Sequence, residues 1–234
     1  MKKKEEMNMS VSIGFYRKLS YWVLDEQQNV VFRPFLTNGN PYKARVFVIT
    51  SNAQPKLVER QEEMEVFIES LVDYKLLNEN YSHQLKEASK ELRGMMKFCA
   101  SYEEVYNEPI VISSLNTLQV SDATELKTIR KNNIALYERG VEIFEEVLQE
   151  FKPKVLILQG NTAINEFINK YKEQLMFLNS PTKKVQQLEA EGPLAQMFYE
   201  DGEKITIFAT RSMSFYTHTN EHFALFKQKL NDYL

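Results

Sequence analysis

The sequence is poor in cysteine, in glycine and in long apolar runs, and each shortage excludes a class of protein. The single cysteine, Cys99, cannot form an intrachain disulfide or a multi-cysteine metal site. The seven glycines form no Gly-rich phosphate loop of either common type. No apolar run approaches membrane-spanning length, and the charged start MKKKEEMNMS leads into no apolar segment. We therefore expect a soluble, cytoplasmic protein without a secretory signal.

The charge balance is nearly even, with 29 basic and 32 acidic residues and a net charge of −3. This balance excludes a protein that coats nucleic acid nonspecifically, although a local basic groove stays possible. Hydrophobic residues make up 43% of the chain, which is ample for a core. The length of 234 residues allows one large α/β domain or two small ones.

Four short β-branched or aromatic runs alternate with amphipathic helical patterns along the chain. Apolar runs of this length are typical of buried strands in a parallel sheet. Their alternation with helices predicts a mostly parallel sheet covered on both faces. The sequence therefore predicts an α/β fold, a three-layer α/β/α sandwich around a central four-stranded, mainly parallel sheet. The predicted strands are residues 44–49, 109–113, 154–158 and 204–209.

Helical spacing of apolar residues predicts five helices between and after these strands. Residues 12–24 are rich in aromatics and fit either a helix or a strand. Residues 179–202 are polar and are predicted as a loop, with a helical turn near residues 194–198. The predicted helices are residues 56–77, 81–98, 122–150, 163–177 and 220–233.

The order of these elements predicts one main domain. We expect residues 31–234 to form it, with a helical insert at about residues 56–108 between the first two strands. Residues 1–30 are predicted to be an N-terminal extension that packs on this domain.

Each predicted strand is followed by a short polar segment rich in Asn, Ser, Thr and Gln. Parallel strands bring such segments to the same edge of the sheet, and ligands of open α/β sheets bind just beyond the carboxyl ends of the strands. We therefore expect a functional cleft there, lined by uncharged hydrogen-bonding groups. The segments are residues 50–55, 114–117, 159–162 and 210–214.

The order of these segments resembles the uracil-DNA glycosylase superfamily over about residues 30–230. The first motif of that family is a strand followed by Gly-x-Asp/Asn-Pro. Here the strand VFVI leads into TSNA, which places Asn52 on the residue that positions water. The second family strand ends in an Asn that reads the flipped base, and Asn116 matches it. The run KPKVLILQGNTA, which contains Gly160 and Asn161, matches a further family signature.

The last family motif is a strand followed by His-x-Ser. The segment TRSMS here places Ser212 on the histidine and keeps Ser214. The resemblance implies hydrolysis of the N-glycosidic bond of a damaged base flipped out of DNA, without metal or cofactor. In these terms the catalytic residues are Asn52 and Ser212, and the base is bound by Asn116, Gln54, Ser214 and Phe215. The phosphate or DNA contacts are Thr210, Arg211, Gly160 and Asn161.

Departures from the family pattern leave catalysis open. A serine donates a weaker hydrogen bond than the family histidine, and loss of one preorganised donor costs about a hundred- to a thousand-fold in rate. Asn52 is not a carboxylate, and Gln54 followed by Pro55 gives a competing register for the first motif. An Asn after a strand also commonly closes a turn, so Asn52 and Asn116 have a structural alternative.

Two other functions remain open beside a DNA glycosylase. One is an inactive module on the same fold that binds nucleic acid or a partner protein, and the other is a glycosidase of free nucleosides or nucleotides. A basic cleft rim would favour DNA, and an acidic rim would favour a small substrate or a protein partner. The basic candidates for the rim are Lys43, Arg45, Lys56, Lys183, Lys184 and Arg211.

Residues His218 to His222 spell HTNEH, a pattern found in zinc peptidases. The third ligand of that class lies well downstream, and little sequence follows His222. A short motif of this kind has a high false-positive rate, so we expect no metal site.

Overall fold

The computed structural model describes residues 12–58, 64–87, 90–216 and 223–234. In these residues the chain forms a six-stranded central sheet, a small two-stranded sheet and helices between the strands. The strands are β1 (Leu24–Asp25), β2 (Val30–Val31), β3 (Val46–Ala53), β4 (Val111–Gln119), β5 (Val155–Gln159), β6 (Met176–Phe177), β7 (Ala195–Phe198) and β8 (Lys204–Thr210). The helices are α1 (Ile13–Val23), α2 (Met64–Ser70), α3 (Tyr74–Asn80), α4 (Ser82–Glu87), α5 (Lys90–Tyr106), α6 (Ala123–Asn132), α7 (Ile134–Phe151), α8 (Gly160–Tyr171), α9 (Val185–Glu191) and α10 (Ala224–Asn231).

The central sheet has the strand order β4-β3-β5-β8-β7-β6. The four strands that the sequence predicts lie side by side in parallel, so the predicted α/β fold with a mainly parallel sheet is confirmed. The predicted count of four strands is too low, because β7 pairs with β8 in antiparallel orientation and β6 pairs in turn with β7, also antiparallel. The sequence instead predicts a helical turn at β7 and a helix end at β6. Strands of four and two residues are too short to show an alternating pattern.

Strands β3 and β4 continue beyond the apolar runs that predict them. The polar residues Thr50 to Ala53 belong to β3, and β4 extends to Gln119. Backbone pairing can continue through polar side chains, because every residue other than proline offers the same N–H and C=O groups. The ladder pairs Asn52 with Asn116 across the two neighbouring strands.

Helices cover both faces of the central sheet. Phe47 and Thr50 are three residues apart in β3, so their side chains point to opposite faces. Phe47 packs against Phe151 of α7, with ring centroids 6.2 Å apart. Thr50 donates a hydrogen bond to Glu91 of α5 at 2.8 Å. Helix α7 therefore lies on one face and α5 on the other.

The other long helices are assigned to faces by their contacts. On the α5 face, Phe226 of α10 lies 6.3 Å from Phe98 and 6.0 Å from Phe208 of β8. On the α7 face, Lys170 of α8 pairs with Glu145 of α7 at 3.0 Å. After β3, the chain therefore runs through several helices and ends with α5 on one face of the sheet. After β5, it enters α8 directly, and α8 lies on the opposite face.

The helical segments are shorter than the sequence predicts. The long helix predicted for residues 122–150 is two helices, α6 and α7, separated at Asn133. The Asn133 side chain accepts a hydrogen bond from the Leu136 amide at 3.2 Å, which caps α7 and ends the continuous pattern. Between β3 and β4, four helices occupy the region of the predicted insert, α2 to α5.

Residues 13–23 form the helix α1, which resolves the choice between helix and strand. Ser12 caps it by accepting a hydrogen bond from the Phe15 amide at 3.2 Å. Its apolar face is buried against α7, where Trp22 Nε1 donates to Glu146 Oε2 at 2.8 Å. None of the described helices is both long and apolar enough to cross a membrane.

Candidate functional site

A polar cleft of about 380 Å³ lies at the carboxyl ends of β3 and β5. We call it the inner cleft. Adjacent parallel strands that lead to helices on opposite faces leave a crevice at this position, and ligands of open α/β sheets bind there. Its polar lining comes from β3 and the residues after it, from α5, α6, α7 and α8. The polar lining residues are Thr50, Ser51, Asn52, Gln54, Glu91, Lys127, Arg130, Tyr137, Thr162 and Glu166.

A second cleft of about 560 Å³ adjoins the inner cleft, and we call it the outer cleft. The two share Ser51, Arg130, Tyr137 and Glu166, so they form one continuous groove. The outer cleft adds polar residues from α7 and α8, namely Glu138, Glu142, Glu145, Asn169 and Lys170. The volumes of both parts fall in the range of small-molecule sites, roughly 300–1,000 Å³.

Glu91 is the carboxylate held most firmly in the inner cleft. Its Oε1 accepts hydrogen bonds from Thr50 Oγ1, at 2.8 Å, and from Gln159 Nε2. Gln159 is 1% exposed, and its Oε1 accepts the Met213 amide at 3.1 Å. The ends of β3 and β5 and the turn after β8 therefore fix one oxygen of Glu91. Its Oε2 has no hydrogen-bond partner among the described residues and is free for a ligand or water.

Opposite charges meet at the mouth of the inner cleft. Glu166 of α8 faces Lys127 and Arg130 of α6. The Glu166 side chain is exposed, yet the cleft walls take its carboxyl group partly out of water and raise its pKa above the usual Glu range. The positive charges of Arg130 and Lys127 oppose that rise. Arg130 also lies over the ring of Tyr137, with its Cζ 5.1 Å from the ring centroid.

Two predicted site residues, Asn52 and Gln54, line the inner cleft. Asn52 is partly exposed and its Nδ2 donates to Ser51 Oγ at 3.1 Å, which leaves its carbonyl oxygen open toward the cleft. Gln54 is held by its backbone, because Arg33 donates to the Gln54 carbonyl at 2.6 Å and to the Pro55 carbonyl at 2.9 Å. Arg33 is buried, and burial lowers its pKa to about 9.

Asn116, the third predicted residue at the groove, lies opposite Asn52 in the ladder and lines the outer cleft, where its side chain has backbone partners. It is 2% exposed, its Nδ2 donates to the Tyr137 carbonyl at 2.9 Å, and its Oδ1 accepts the Leu118 amide at 3.1 Å. Gly140 of α7 makes room for this amide, because a Cβ there would collide with Asn116 Oδ1. The amide that the resemblance assigns to base recognition thus joins β4 to α7.

The predicted residues after β8 form a separate group on the other side of β5. Thr210 Oγ1 donates to Glu189 Oε1 at 2.9 Å, and Arg211 Nε donates to Glu189 Oε2 at 2.9 Å. Ser212 Oγ donates to Ser214 Oγ at 3.0 Å. None of these four residues lines the inner or outer cleft, as far as the structure describes them. We call Glu189 and these four residues the β8 group.

Three other predicted contacts surround the β8 group. Gly160 begins α8 with φ +80°, the tight strand-to-helix turn that its lack of a side chain predicts. A Cβ on it would lie 3.9 Å from Ser212. Asn161 is exposed on the first turn of α8. Phe215 is 62% exposed in the 3₁₀ turn Met213–Phe215.

The basic residues named as rim candidates do not line either cleft, as far as the structure describes them. Arg45 precedes β3, at the opposite edge of the sheet, and pairs with Glu108 at 2.8 Å. Lys183 and Arg211 pair with Glu191 and Glu189 of α9. The cations at the cleft are instead Lys127, Arg130 and Lys170, beside at least as many glutamates.

Five residues of the groove are not predicted by any sequence pattern, namely Glu91, Lys127, Arg130, Tyr137 and Glu166. All five lie on amphipathic helices, where a charged or aromatic residue is ordinarily part of a solvated or packed face. The topology rule locates the cleft between strands but does not indicate which helix supplies its charged groups. No signal in the sequence alone distinguishes Glu91 from the other glutamates of the insert.

No group of three or more His, Cys, Asp or Glu side chains that could hold a metal ion occurs among the residues that the structure describes. His218 and His222 lie outside those residues. A scan of the chain against protein-family models finds no match, and a search of curated proteins also finds none. The resemblance to uracil-DNA glycosylases therefore stays a prediction from the motifs.

Proposed function

We propose that the chain is an N-glycosidic hydrolase that acts on a free nucleoside or nucleotide, with its active site in the inner cleft. The observation that carries this proposal is the position of Glu91. A carboxylate with one fixed and one open oxygen lies in the same cleft as Asn52, which the motif order assigns to water positioning. Glu91 supplies the carboxylate that the first motif lacks.

The roles of the two residues follow from their open oxygens. Glu91 Oε2 accepts a proton from water as that water attacks the anomeric carbon of the sugar. The Asn52 carbonyl accepts a second hydrogen bond from the same water and orients it. The hydroxyl group of the water ends on the sugar, and the glycosidic bond breaks with its electron pair going to the base. The proton taken up by Glu91 then passes through water to the departing base, which restores the carboxylate. Gln54 and the hydroxyl group of Ser51 supply hydrogen bonds to the substrate.

The charge around the cleft favours a small substrate over duplex DNA. DNA-binding grooves present an excess of positive charge to the phosphates. The inner cleft instead has two carboxylates, Glu91 and Glu166, beside two cations, and the outer cleft adds three glutamates. The predicted DNA contact Arg211 has its charge paired with Glu189.

A second candidate, removal of a flipped-out base from single-stranded DNA, is favoured by one observation. Phe215 is 62% exposed after β8, where an aromatic ring can stack on a base. This candidate uses the same hydrolysis in the inner cleft. It differs from the first candidate in its substrate, a DNA strand that also contacts residues outside the cleft.

The test is release of free base, measured by chromatography. The substrates are nucleosides, their 5′-monophosphates and a single-stranded oligonucleotide, each with uracil, hypoxanthine or xanthine. We expect release from a mononucleoside or mononucleotide, and a loss of about a hundred- to ten-thousand-fold in kcat for Glu91→Gln. The Gln side chain keeps an oxygen for Thr50 and Gln159 but cannot take up the proton. Asn52→Ala should also lose activity.

Glu104→Gln is the matched control, because it changes an exposed glutamate of α5 outside both clefts. It should retain wild-type activity. Release from the oligonucleotide alone would support the second candidate, particularly if Phe215→Ala abolished it. Release that Glu91→Gln leaves unchanged, or no release from any substrate, would disprove the proposed function.

A further inference from the structure

Lys127 and Arg130 differ from most other basic residues near the sheet edge, because neither forms an ion pair among the described residues. Lys170, Lys183 and Arg211 all have a carboxylate partner. Lys127 and Arg130 are exposed and line the inner cleft. Their positive charge is therefore available to a ligand.

The two cations are arranged to act together. They are three residues apart in α6, so their side chains lie on one face of the helix. Arg130 lies against the Tyr137 ring, a contact that orients a guanidinium while its N–H groups stay free to donate. Glu166 interacts electrostatically with both cations, and its single negative charge offsets only part of their two positive charges.

We propose that Lys127 and Arg130 bind the phosphate monoester of the substrate, so that the preferred substrate is a nucleoside 5′-monophosphate. This inference rests on the proposed function for the identity of the substrate. A phosphate monoester carries a charge of about −1.5 to −2 at neutral pH, whereas each diester in DNA carries one negative charge. Two cations on one helix face match the monoester, and a guanidinium binds two phosphate oxygens at once.

The position of the cations fits a mononucleotide that lies along the groove. Arg130 and Lys127 line the same 380 Å³ cleft as Asn52 and Glu91, but they come from α6 rather than from the strand ends. The sugar and base then lie toward β3 and the phosphate toward α6. The negative charge of Glu166, a residue of α8, opposes the binding of the phosphate.

The test compares a nucleoside with its 5′-monophosphate, first as substrates of the full chain and then as ligands in isothermal titration calorimetry. We expect the monophosphate to have a kcat/KM at least about tenfold higher, since a hydrogen bond to a charged group contributes about that much. Lys127→Gln and Arg130→Gln should each raise KM for the monophosphate about tenfold and change KM for the nucleoside much less. Glu166→Gln should lower KM for the monophosphate, because it removes the opposing charge.

Lys131→Gln is the matched control, with the same charge change on the same helix outside both clefts. Equal kcat/KM for nucleoside and monophosphate, or equal losses for both in Arg130→Gln, would overturn the inference while the proposed function stood. If no substrate were hydrolysed but the monophosphate bound in wild type and not in Arg130→Gln, the proposed function would fail and the phosphate site would stand. Monophosphate binding unaffected by either variant, or no binding at all, would overturn the site itself.

Discussion

Two polar regions lie at the carboxyl edge of the sheet. They differ in how many of their polar groups already have a hydrogen-bond partner among the described residues. In the β8 group, Glu189 is 5% exposed and accepts from the Thr210 hydroxyl, the Arg211 amide and the Arg211 guanidinium. In the inner cleft, Glu91 Oε2 and the Asn52 carbonyl are open, and Lys127 and Arg130 form no ion pair among the described residues. The first region is closed by its own side chains, and the second has groups left for a ligand.

This difference shows what a motif can and cannot indicate. A motif identifies residue types at strand ends, and both regions have suitable types. It does not indicate whether a neighbouring element already supplies their partners, as α9 does for Arg211 and α7 does for Asn116. The difference between a closed and an open region can be tested through the stability of matched variants.

The largest expected effect is in the β8 group. Glu189→Ala removes the four hydrogen bonds that the carboxylate accepts from Thr210 Oγ1, the Arg211 amide and Arg211 Nε, and with them the ion pair to Arg211. Breaking a buried pair typically costs about 3–5 kcal/mol, and Arg211 is partly exposed, so we expect a loss near 3 kcal/mol in the free energy of unfolding. Urea denaturation followed by circular dichroism measures it.

Glu191→Ala on the same helix is the control. Glu191 pairs with Lys183 at the surface, where both side chains are more than a third exposed. Such pairs contribute about 0–1 kcal/mol, so the control should cost much less. If the two variants lost similar free energies of unfolding, the contacts of Glu189 in the β8 group would stabilise the fold no more than a surface ion pair does.

Glu103 of α5, like Glu91, has a carboxylate oxygen without a hydrogen-bond partner among the described residues. In Glu103 that oxygen is buried, whereas Glu91 lines a cleft. Asn38 Nδ2 donates to Glu103 Oε2 at 3.0 Å, while Glu103 Oε1 is buried without a partner. Burial raises the pKa of Glu103 to about 7, against the weaker opposing effect of the hydrogen bond from Asn38. Because the folded state binds the proton more tightly than the unfolded chain, the free energy of unfolding falls as pH rises through the window from about 4.5 to 7.

Glu103→Gln imitates the protonated form and should remove this fall. The variant should match wild type at about pH 4 and exceed it by about 1–2 kcal/mol at about pH 8, after an allowance for the partial exposure of the group. Urea denaturation at the two pH values measures the difference. Glu104→Gln is the control, and the same gain at pH 8 in both variants would indicate a general effect of charge rather than the burial of Glu103.

The fold was largely accessible to sequence reasoning because the apolar runs of β3, β4, β5 and β8 are buried and bounded by turn residues. β6 and β7 were not, because their few residues carry no periodic signal; β7 depends on pairing with β8, and β6 on pairing with β7. The position of the cleft also followed from the topology. Its charged residues did not, because Glu91, Lys127 and Arg130 reach the cleft only through the packing of helices that are distant in sequence.

The smallest effect on stability is expected for Asn52→Ala in the inner cleft, and Asn116→Ala is its matched partner from the same rung of the ladder. Asn52 loses one hydrogen bond to a neighbouring side chain, at a cost of about 0.5 kcal/mol. Asn116→Ala loses bonds to two backbone groups at a buried position and should cost about 2 kcal/mol. Urea denaturation of both variants gives the difference. Equal losses would mean that Asn52 is as much a structural residue as Asn116, and the proposed water-positioning role would lose its physical basis.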